Sequence, residues 1–406
     1  MVEGAWIDYA KQEGALLFQL EHRYYGQSRP TKDMSIKNLQ YLSSEQALKD
    51  LAGFITAMNQ KYQLIEPKWI AFGGSYPGSL AAWLRYKYPH LITGSMSASG
   101  PLLAKLDFYE YFAVVEKSLR LAHVNGNECV NNIIAGTKQL DILLKHKDGQ
   151  STIDSKFNLC DSISDSKITS FDISNLYETL SGNFANVVQY NEDNRINSKY
   201  PAASNITIQT LCNIMLNDSL GVELNRLAYI NTLTLNVYQQ KCLDYKYNKM
   251  INILRNTSWE SEASEGGRQW MYQTCTEFGF YQTSTNQPQL FGKEFPIEFF
   301  IQQCLDIFGS KFNKQFILNK IQQTNIEYGA LNIDLTDISN IVFVHGSIDP
   351  WHALGIIKTR NNKTPAIYIN GTAHCANMYP ASSLDLPQLQ AARIQIGQLI
   401  HSWITN

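Results

Sequence analysis

No apolar stretch in this sequence approaches the roughly 18–20 residues that a helix needs to cross a bilayer, so nothing in it reads as a membrane span. Lys and Arg form no block: 34 of them are set against 36 Asp and Glu over 406 residues, for a formal net charge of −2. That balance argues against a nucleic-acid surface. The absence of a C-x-x-C pair makes a zinc ribbon or a thioredoxin-like motif unexpected. With no metal-ligand cluster and no phosphate-binding glycine loop, neither metal nor cofactor is predicted. No secretory leader is expected within this sequence, because Met1 runs straight into VEGAWIDYAKQEG without basic flank, apolar core or cleavage site. What remains is a chain that is 44% hydrophobic and 12% aromatic. It carries enough apolar surface to offset the entropy of ordering, which excludes a disordered chain. Its length suits one large domain with an insertion, or two domains.

Six of the seven cysteines (Cys129, Cys160, Cys212, Cys242, Cys275 and Cys304) fall in the middle of the chain, and Cys375 stands apart. The N-x-S/T acceptors Asn205, Asn217 and Asn256 share that region, and Asn362 and Asn370 follow nearer the end. These are the candidate glycosylation sites. Clustered cysteines and sequons together favour an oxidising, secretory route. The pairing of the cysteines does not follow from their positions alone.

Periodicity predicts a helix from residue 2, with Ala5, Trp6, Tyr9 and Ala10 apolar and Gly14 as its stop. The apolar run Ala15-Leu16-Leu17-Phe18-Gln19-Leu20 suits a strand buried on both faces. A helix over 43–62 starts at a capping box of Ser43 and Gln46 and carries the stripe Leu48, Leu51, Ile55 and Met58. A strand over 68–72, a helix over 77–88 ended by Pro89, and a strand over 92–98 complete a βαβ alternation. Such alternation implies a mostly parallel sheet covered by helices. It stops near residue 105 and returns with a strand at 341–344, a helix from Trp351, a strand at 366–369 and an amphipathic helix from Leu386. The expected organisation is an α/β core in two parts, 1–105 and 326–406, interrupted by a largely helical, cysteine-bearing insertion at 106–325.

Three turns at strand ends carry the chemistry. Ser75 stands between strand and helix in Gly73-Gly74-Ser75-Tyr76-Pro77-Gly78, a variant of the G-x-S-x-G elbow with glycine one place late. Asp349 follows a strand in Ser347-Ile348-Asp349-Pro350-Trp351-His352, where an ordinary role would be helix N-cap before Pro350. His374 follows the next strand and by itself reads as a surface-loop histidine. Ser, then Asp, then His, each after a successive parallel strand, is the chain order of an α/β-hydrolase triad. Loops at that sheet edge converge on one crevice. Ser75 is then the nucleophile, His374 its base, Asp349 the group that orients the imidazole, and the Tyr76 backbone N–H the first oxyanion donor. His352 is discounted as base because it starts the helix beside Asp349, and His345 because it lies on the strand.

The runs Glu21-His22-Arg23-Tyr24-Tyr25-Gly26-Gln27-Ser28, GGSYPGSLAAWLRYKYPH from Gly73 to His90, Tyr272-Gln273-Thr274-Cys275-Thr276-Glu277-Phe278-Gly279-Phe280 and Asp349-Pro350-Trp351-His352 resemble one peptidase family. It contains lysosomal prolyl carboxypeptidase, dipeptidyl peptidase II and thymus-specific serine protease, and the last two runs resemble its thymus-specific branch. The resemblance implies an α/β-hydrolase with a helical insertion over the active site, and it matches Ser75, Asp349 and His374 to the family triad. It implies the bridges Cys129–Cys212, Cys160–Cys242 and Cys275–Cys304. Ser284 stands where a further family cysteine is often found, so Cys375 is predicted free.

The implied activity is a serine-type exopeptidase of carboxypeptidase or dipeptidyl-peptidase type, cutting near proline. Met271 at the position of the dipeptidyl branch's acidic amine anchor weakens the dipeptidyl reading. The implied setting is lysosomal, endosomal or secreted. Peptides are the expected partners, and a homodimer is left open. The fold normally has three strands before its first helix, and here that helix starts at once. The expectation is therefore an N-terminally incomplete sheet that lacks its leader and the second oxyanion donor. The alternatives are a truncated or inactive member that binds peptides, and, less consistent with the CTEFGF run, a lipase or esterase.

Overall fold

The computed structural model describes residues 3–192, 199–285 and 290–405. The chain is a mixed α/β protein that divides into two compact units. One comprises Met1–Leu106, Ile253–Phe280 and Cys304–Asn406; the other comprises Asp107–Asn252 and Tyr281–Gln303.

The first unit is built on a parallel sheet of four strands in the spatial order Ile70–Gly74, Gly94–Ala98, Ile341–Gly346 and Ala366–Ile369. Every residue of Gly94–Ala98 and of Ile341–Gly346 is buried, as expected for parallel strands covered on both faces. Helices Ala5–Glu13 and Pro387–Thr405 supply Ala5, Tyr9, Ile396, Ile400 and Trp403 to the core that Met96, Val342, Val344 and Ile367 form on the sheet. Helix Ser44–Lys61 begins where the sequence predicts, with the Ser43 half of the expected capping box formed: its side chain accepts from the Gln46 N–H. Helix Tyr76–Lys87 follows the first strand and buries Trp83, whose ring stacks on Tyr328 with centroids 4.1 Å apart.

Two expectations fail here. The run from Ala15 to Leu20 is irregular, and Leu16 is 62% exposed. A strand needs a ladder partner, and no strand pairs with this run among the described residues. Only Phe18 turns inward, onto Phe54, Tyr62 and Trp69 at 6.0, 5.5 and 5.2 Å. The helix expected from Trp351 is a single 3-10 stretch, Pro350–Leu354, which Gly355 ends. The strand expected at 68–72 is shifted to Ile70–Gly74.

Residues 253–280 and 304–325 fold with the sheet-bearing unit rather than with the middle of the chain. Side-chain bonds explain why. Helix Lys314–Tyr328 brings Thr324, whose hydroxyl donates to the Glu277 carbonyl at 2.7 Å, and Asn325, which bonds both backbone groups of Ala104. Helix Gly267–Gln273 runs into a π-helical turn, Thr274–Phe278, which the Cys275–Cys304 disulfide ties down.

The second unit is mainly helical. The Cys129–Cys212 disulfide joins helices Gly126–Leu143 and Ile208–Met215, and Cys160–Cys242 flanks a parallel bridge between Leu159 and Leu243. Helix Ser170–Gln189 starts at a capping box of Thr169 and Asp172, and the same Asp172 accepts the Tyr247 N–H. The Ser284 hydroxyl accepts the Phe295 N–H at 3.1 Å. Among the described residues no helix is long and apolar enough to cross a membrane.

The Trp83–Tyr328 stack locks helix Tyr76–Lys87 in place. Trp83→Ala is expected to lower stability by about 3–5 kcal/mol, read as a reduced unfolding midpoint in urea.

Candidate active site

Ser75 lies directly after the first strand with φ 62° and ψ −132°, a conformation in which residues other than glycine are rare. Its N–H donates to the Ala98 carbonyl at 2.9 Å, and its own carbonyl accepts from Gly78 N–H at 2.8 Å and Ser79 N–H at 3.2 Å. The chain can turn this sharply only where side chains are missing. A Cβ on Gly73 would stand 1.9 Å from the Pro77 carbonyl oxygen, and one on Gly78 would stand 2.6 Å from that of Ala98. Ser75 thus sits at the N-terminus of helix Tyr76–Lys87, whose first N–H groups have no intrahelical acceptor.

Asp349 follows strand Ile341–Gly346 and is wholly buried, at 0% exposure. Its Oδ1 accepts the Trp351 N–H at 3.0 Å and lies 2.8 Å from Nδ1 of His374. The cap role and the pairing role therefore belong to one atom. His374, 2% exposed, lies in the loop after strand Ala366–Ile369. That loop is fixed by Cys375, at φ 59°, whose N–H donates to the Ser99 hydroxyl at 2.9 Å. A Cβ on Gly74 would come within 2.9 Å of the Cys375 sulfur. The residue before Ser75 and the residue after His374 are therefore in van der Waals reach.

Burial works against charge on both members of the pair, and each charge offsets this for the other. Burial is the largest influence on the Asp349 carboxyl, but His374, His345 and a Ser99 hydrogen bond together hold it below its usual range. Burial is likewise the largest influence on His374, but Asp349 and Cys375 together raise it well above its usual value. Since the carboxylate accepts at Nδ1, the neutral imidazole carries its proton there and leaves Nε2 as the basic nitrogen. His345 differs: burial pulls it down to about 4, so it stays neutral where a base would have to work. The His352 ring faces Tyr368 at 5.3 Å.

The Tyr76 ring is buried and starts a row of aromatic neighbours. Tyr76 meets Trp270 and Phe278, Phe278 stacks on Phe280 at 5.4 Å, Phe280 meets Trp351, and Trp351 lies 6.4 Å from His374. The sequence singled out the CTEFGF run without giving these rings a role. It missed Ser99 entirely, although a serine before Gly100 at a strand end was the available signal. Cys375 is a free, buried thiol. Asn205, Asn217, Asn256, Asn362 and Asn370 are all exposed. Among the described residues no group of His, Cys, Asp and Glu could hold a metal ion.

The sequence signature of serine carboxypeptidase S28 matches residues 1–396. A candidate serine protease of Caenorhabditis elegans is 37% identical over 98% of this chain and 78% of its own length. Thymus-specific serine protease of Mus musculus is 32% identical over 97% of this chain and 75% of that protein. Lysosomal Pro-X carboxypeptidase of Homo sapiens is 28% identical over 99% and 77%.

The close approach of Gly73 to Pro77 makes Gly73→Ala a direct test of the turn. It is expected to cost about 1–3 kcal/mol, because the carbonyl that the new methyl meets is backbone and must shift, and this would register as a lower melting temperature.

Proposed function

The chain belongs to the serine carboxypeptidase S28 family, and from that membership we propose that it is a serine exopeptidase of α/β-hydrolase type whose nucleophile is Ser75. Family and relatives together support a serine peptidase. The observation that carries the residue assignment is the buried Asp349–His374 hydrogen bond, 2.8 Å long, in a loop that abuts the Ser75 turn through Cys375 and Gly74.

In the proposed cycle Ser75 Oγ attacks the scissile carbonyl carbon while its proton passes to Nε2 of His374. Asp349 holds the ring in the tautomer that makes Nε2 basic and stabilises the imidazolium as it forms. The Tyr76 N–H, at the helix N-terminus, donates to the oxyanion. Collapse of the tetrahedral intermediate breaks the C–N bond, and His374 returns the proton to the leaving amine. Water then repeats the sequence on the acyl-enzyme and releases Ser75.

The aromatic row from Tyr76 to Trp351 supports a subsite for a compact apolar ring, which favours proline beside the scissile bond. Either a C-terminal residue or an N-terminal dipeptide would be released. Exposed sequons and three disulfides support a lysosomal, endosomal or secreted setting with glycosylation at those asparagines.

A fluorophosphonate probe should label the wild type and not Ser75→Ala, and only the wild type should cleave a peptide library with proline at varied positions. Unlabelled, folded wild type would instead favour a peptide-binding protein. His374 must be neutral to accept a proton, so kcat/KM should fall as pH drops through its raised pKa. Removing the carboxylate removes what raises that pKa. Asp349→Asn should therefore move the acid limb to lower pH, and lower kcat by about 10,000-fold through the wrong tautomer. An unmoved limb would reject the pairing.

A further inference from the structure

The residue after the proposed nucleophile is held by a chain of buried polar groups that the catalytic cycle leaves unused. Tyr76 begins helix Tyr76–Lys87, and its hydroxyl meets two partners: the Gln273 amide nitrogen at 3.0 Å and His22 Nε2 at 3.1 Å. The other ring nitrogen of His22 lies 2.6 Å from the Arg23 carbonyl oxygen. The Gln273 nitrogen also lies 3.0 Å from Oε2 of Glu277, and its oxygen accepts from the Tyr25 hydroxyl at 2.7 Å. Glu277 is buried and further accepts the Ser44 N–H at 2.9 Å and the Ser44 hydroxyl at 2.5 Å. Every residue of this chain belongs to the sheet-bearing unit.

Burial pushes the Glu277 carboxyl up, while the bonds it accepts from Ser44 and Gln273 pull it back toward the ionised form. With Glu277 ionised, one set of proton positions satisfies these contacts. A carboxylate only accepts, so the Gln273 amide must turn its NH2 toward Glu277. The same NH2 then donates to the Tyr76 oxygen, which leaves the Tyr76 proton for His22. A carbonyl also only accepts, so His22 carries its proton on Nδ1 and presents a lone pair at Nε2. The chain closes with neutral His22 and with no group facing its own kind. If His22 were protonated, both its nitrogens would donate. The Tyr76 oxygen would face two donors while its own proton had nowhere to go.

We infer that Gln273 is a positioning residue for the Ser75 turn: oriented by Glu277, it fixes the Tyr76 side chain through a hydrogen-bond chain that runs in one direction and ends on neutral His22. This rests on the assignment of Ser75 as nucleophile, with Tyr76 as the residue whose N–H faces the oxyanion. The phenol anchors the same residue that supplies that N–H, so a misdirected chain displaces an oxyanion donor. Acid would then slow the reaction through His22 as well as through His374. The groups facing His22 are Tyr25 and Tyr76, and the ion pair of Arg23 with Asp50 at 2.5 Å. Burial is the largest influence on the ring and already disfavours its cation, and burial likewise keeps the Tyr76 hydroxyl protonated.

The test is the titration midpoint of His22 by NMR, assigned with His22→Gln, in the full chain. Gln273→Met deletes the amide at nearly constant length and frees the Tyr76 oxygen to accept from a protonated His22. The midpoint should rise by about one pH unit. The same substitution in a Tyr76→Phe background should leave it in place. In parallel, kcat should fall about 10-fold with KM nearly unchanged, as for a misplaced oxyanion donor. An unmoved His22 midpoint in folded Gln273→Met, or an equal shift with and without the Tyr76 hydroxyl, would overturn the inference. Should Gln273→Met fail to fold, Tyr76→Phe removes one oxygen from the same link. Wild-type kcat and an unchanged acid limb in that variant would overturn the inference as well. Lack of probe labelling in the wild type would sink the peptidase assignment and with it the catalytic role of Gln273, while the His22 midpoints, read without turnover, would still decide the hydrogen-bond chain on its own.

Discussion

A side-chain-bearing residue at φ 62° and ψ −132° costs about 1–3 kcal/mol, and the Ser75 turn keeps that conformation because its surroundings leave no cheaper one. Gly73 and Gly78 are approached so closely by backbone oxygens that no Cβ fits, and the Ser75 N–H is bound to Ala98 on the neighbouring strand. The strain is held by the sheet, since the strands Ile70–Gly74 and Gly94–Ala98 run in register and fix where Gly74 and Ala98 end. A turn with a relaxed backbone would let the hydroxyl fold back onto the helix N-terminus as an ordinary cap. Here no side-chain cap bond is made by Ser75, and the hydroxyl is kept out of that role.

The second constraint is the handling of buried charge. Asp349 and His374 are almost completely removed from water, where an isolated ionised group would be untenable. Each is tolerable because the other is present, and because a backbone N–H from Trp351 and a loop pinned by Ser99 keep their geometry fixed. The 3-10 stretch Pro350–Leu354 is therefore part of the site, since its first free N–H is spent on Asp349. A longer α-helix at that point would not be needed to do the same.

How much of this was legible in the sequence depends on the range over which each signal acts. The Ser75 turn could be read because glycines flank a serine between a strand and a helix, and the N-cap of Asp349 because Pro350 follows it. Both are local. The pairing of Asp349 with His374 required only chain order and parallel strands. The run from Ala15 to Leu20 misled because its apolar pattern is that of a strand, whereas strand formation is decided by a partner that the pattern does not contain. Residues 253–280 and 304–325 read as part of the insertion because their local pattern is helical and shows no repeated strand–helix unit. Their place is set by single long-range contacts, such as Ser44 on Glu277, Asn325 on Ala104 and, at the end of the same helix, Tyr328 on Trp83. Glu277 could be quoted as part of a motif but given no role, since its partner Ser44 lies 233 residues away.

The aromatic row and the polar chain beside it depend on one another. Rings from Tyr76 through Phe278 and Phe280 to Trp351 form an apolar border next to His374, and within such a border the effective dielectric is low. Low dielectric strengthens the Asp349–His374 attraction, which an exposed pair would largely lose to solvent. It also raises the cost of any polar hydrogen left without an acceptor to about 1–3 kcal/mol. Tyr76 takes part in both: its ring belongs to the border and its hydroxyl to the chain that starts at Ser44. The dry surroundings that strengthen the Asp349–His374 pair therefore also make the direction of the Gln273–Tyr76–His22 bonds an energetic constraint. In a wetter site water would satisfy either direction, and Glu277, two positions past Cys275, would have no orientation to impose.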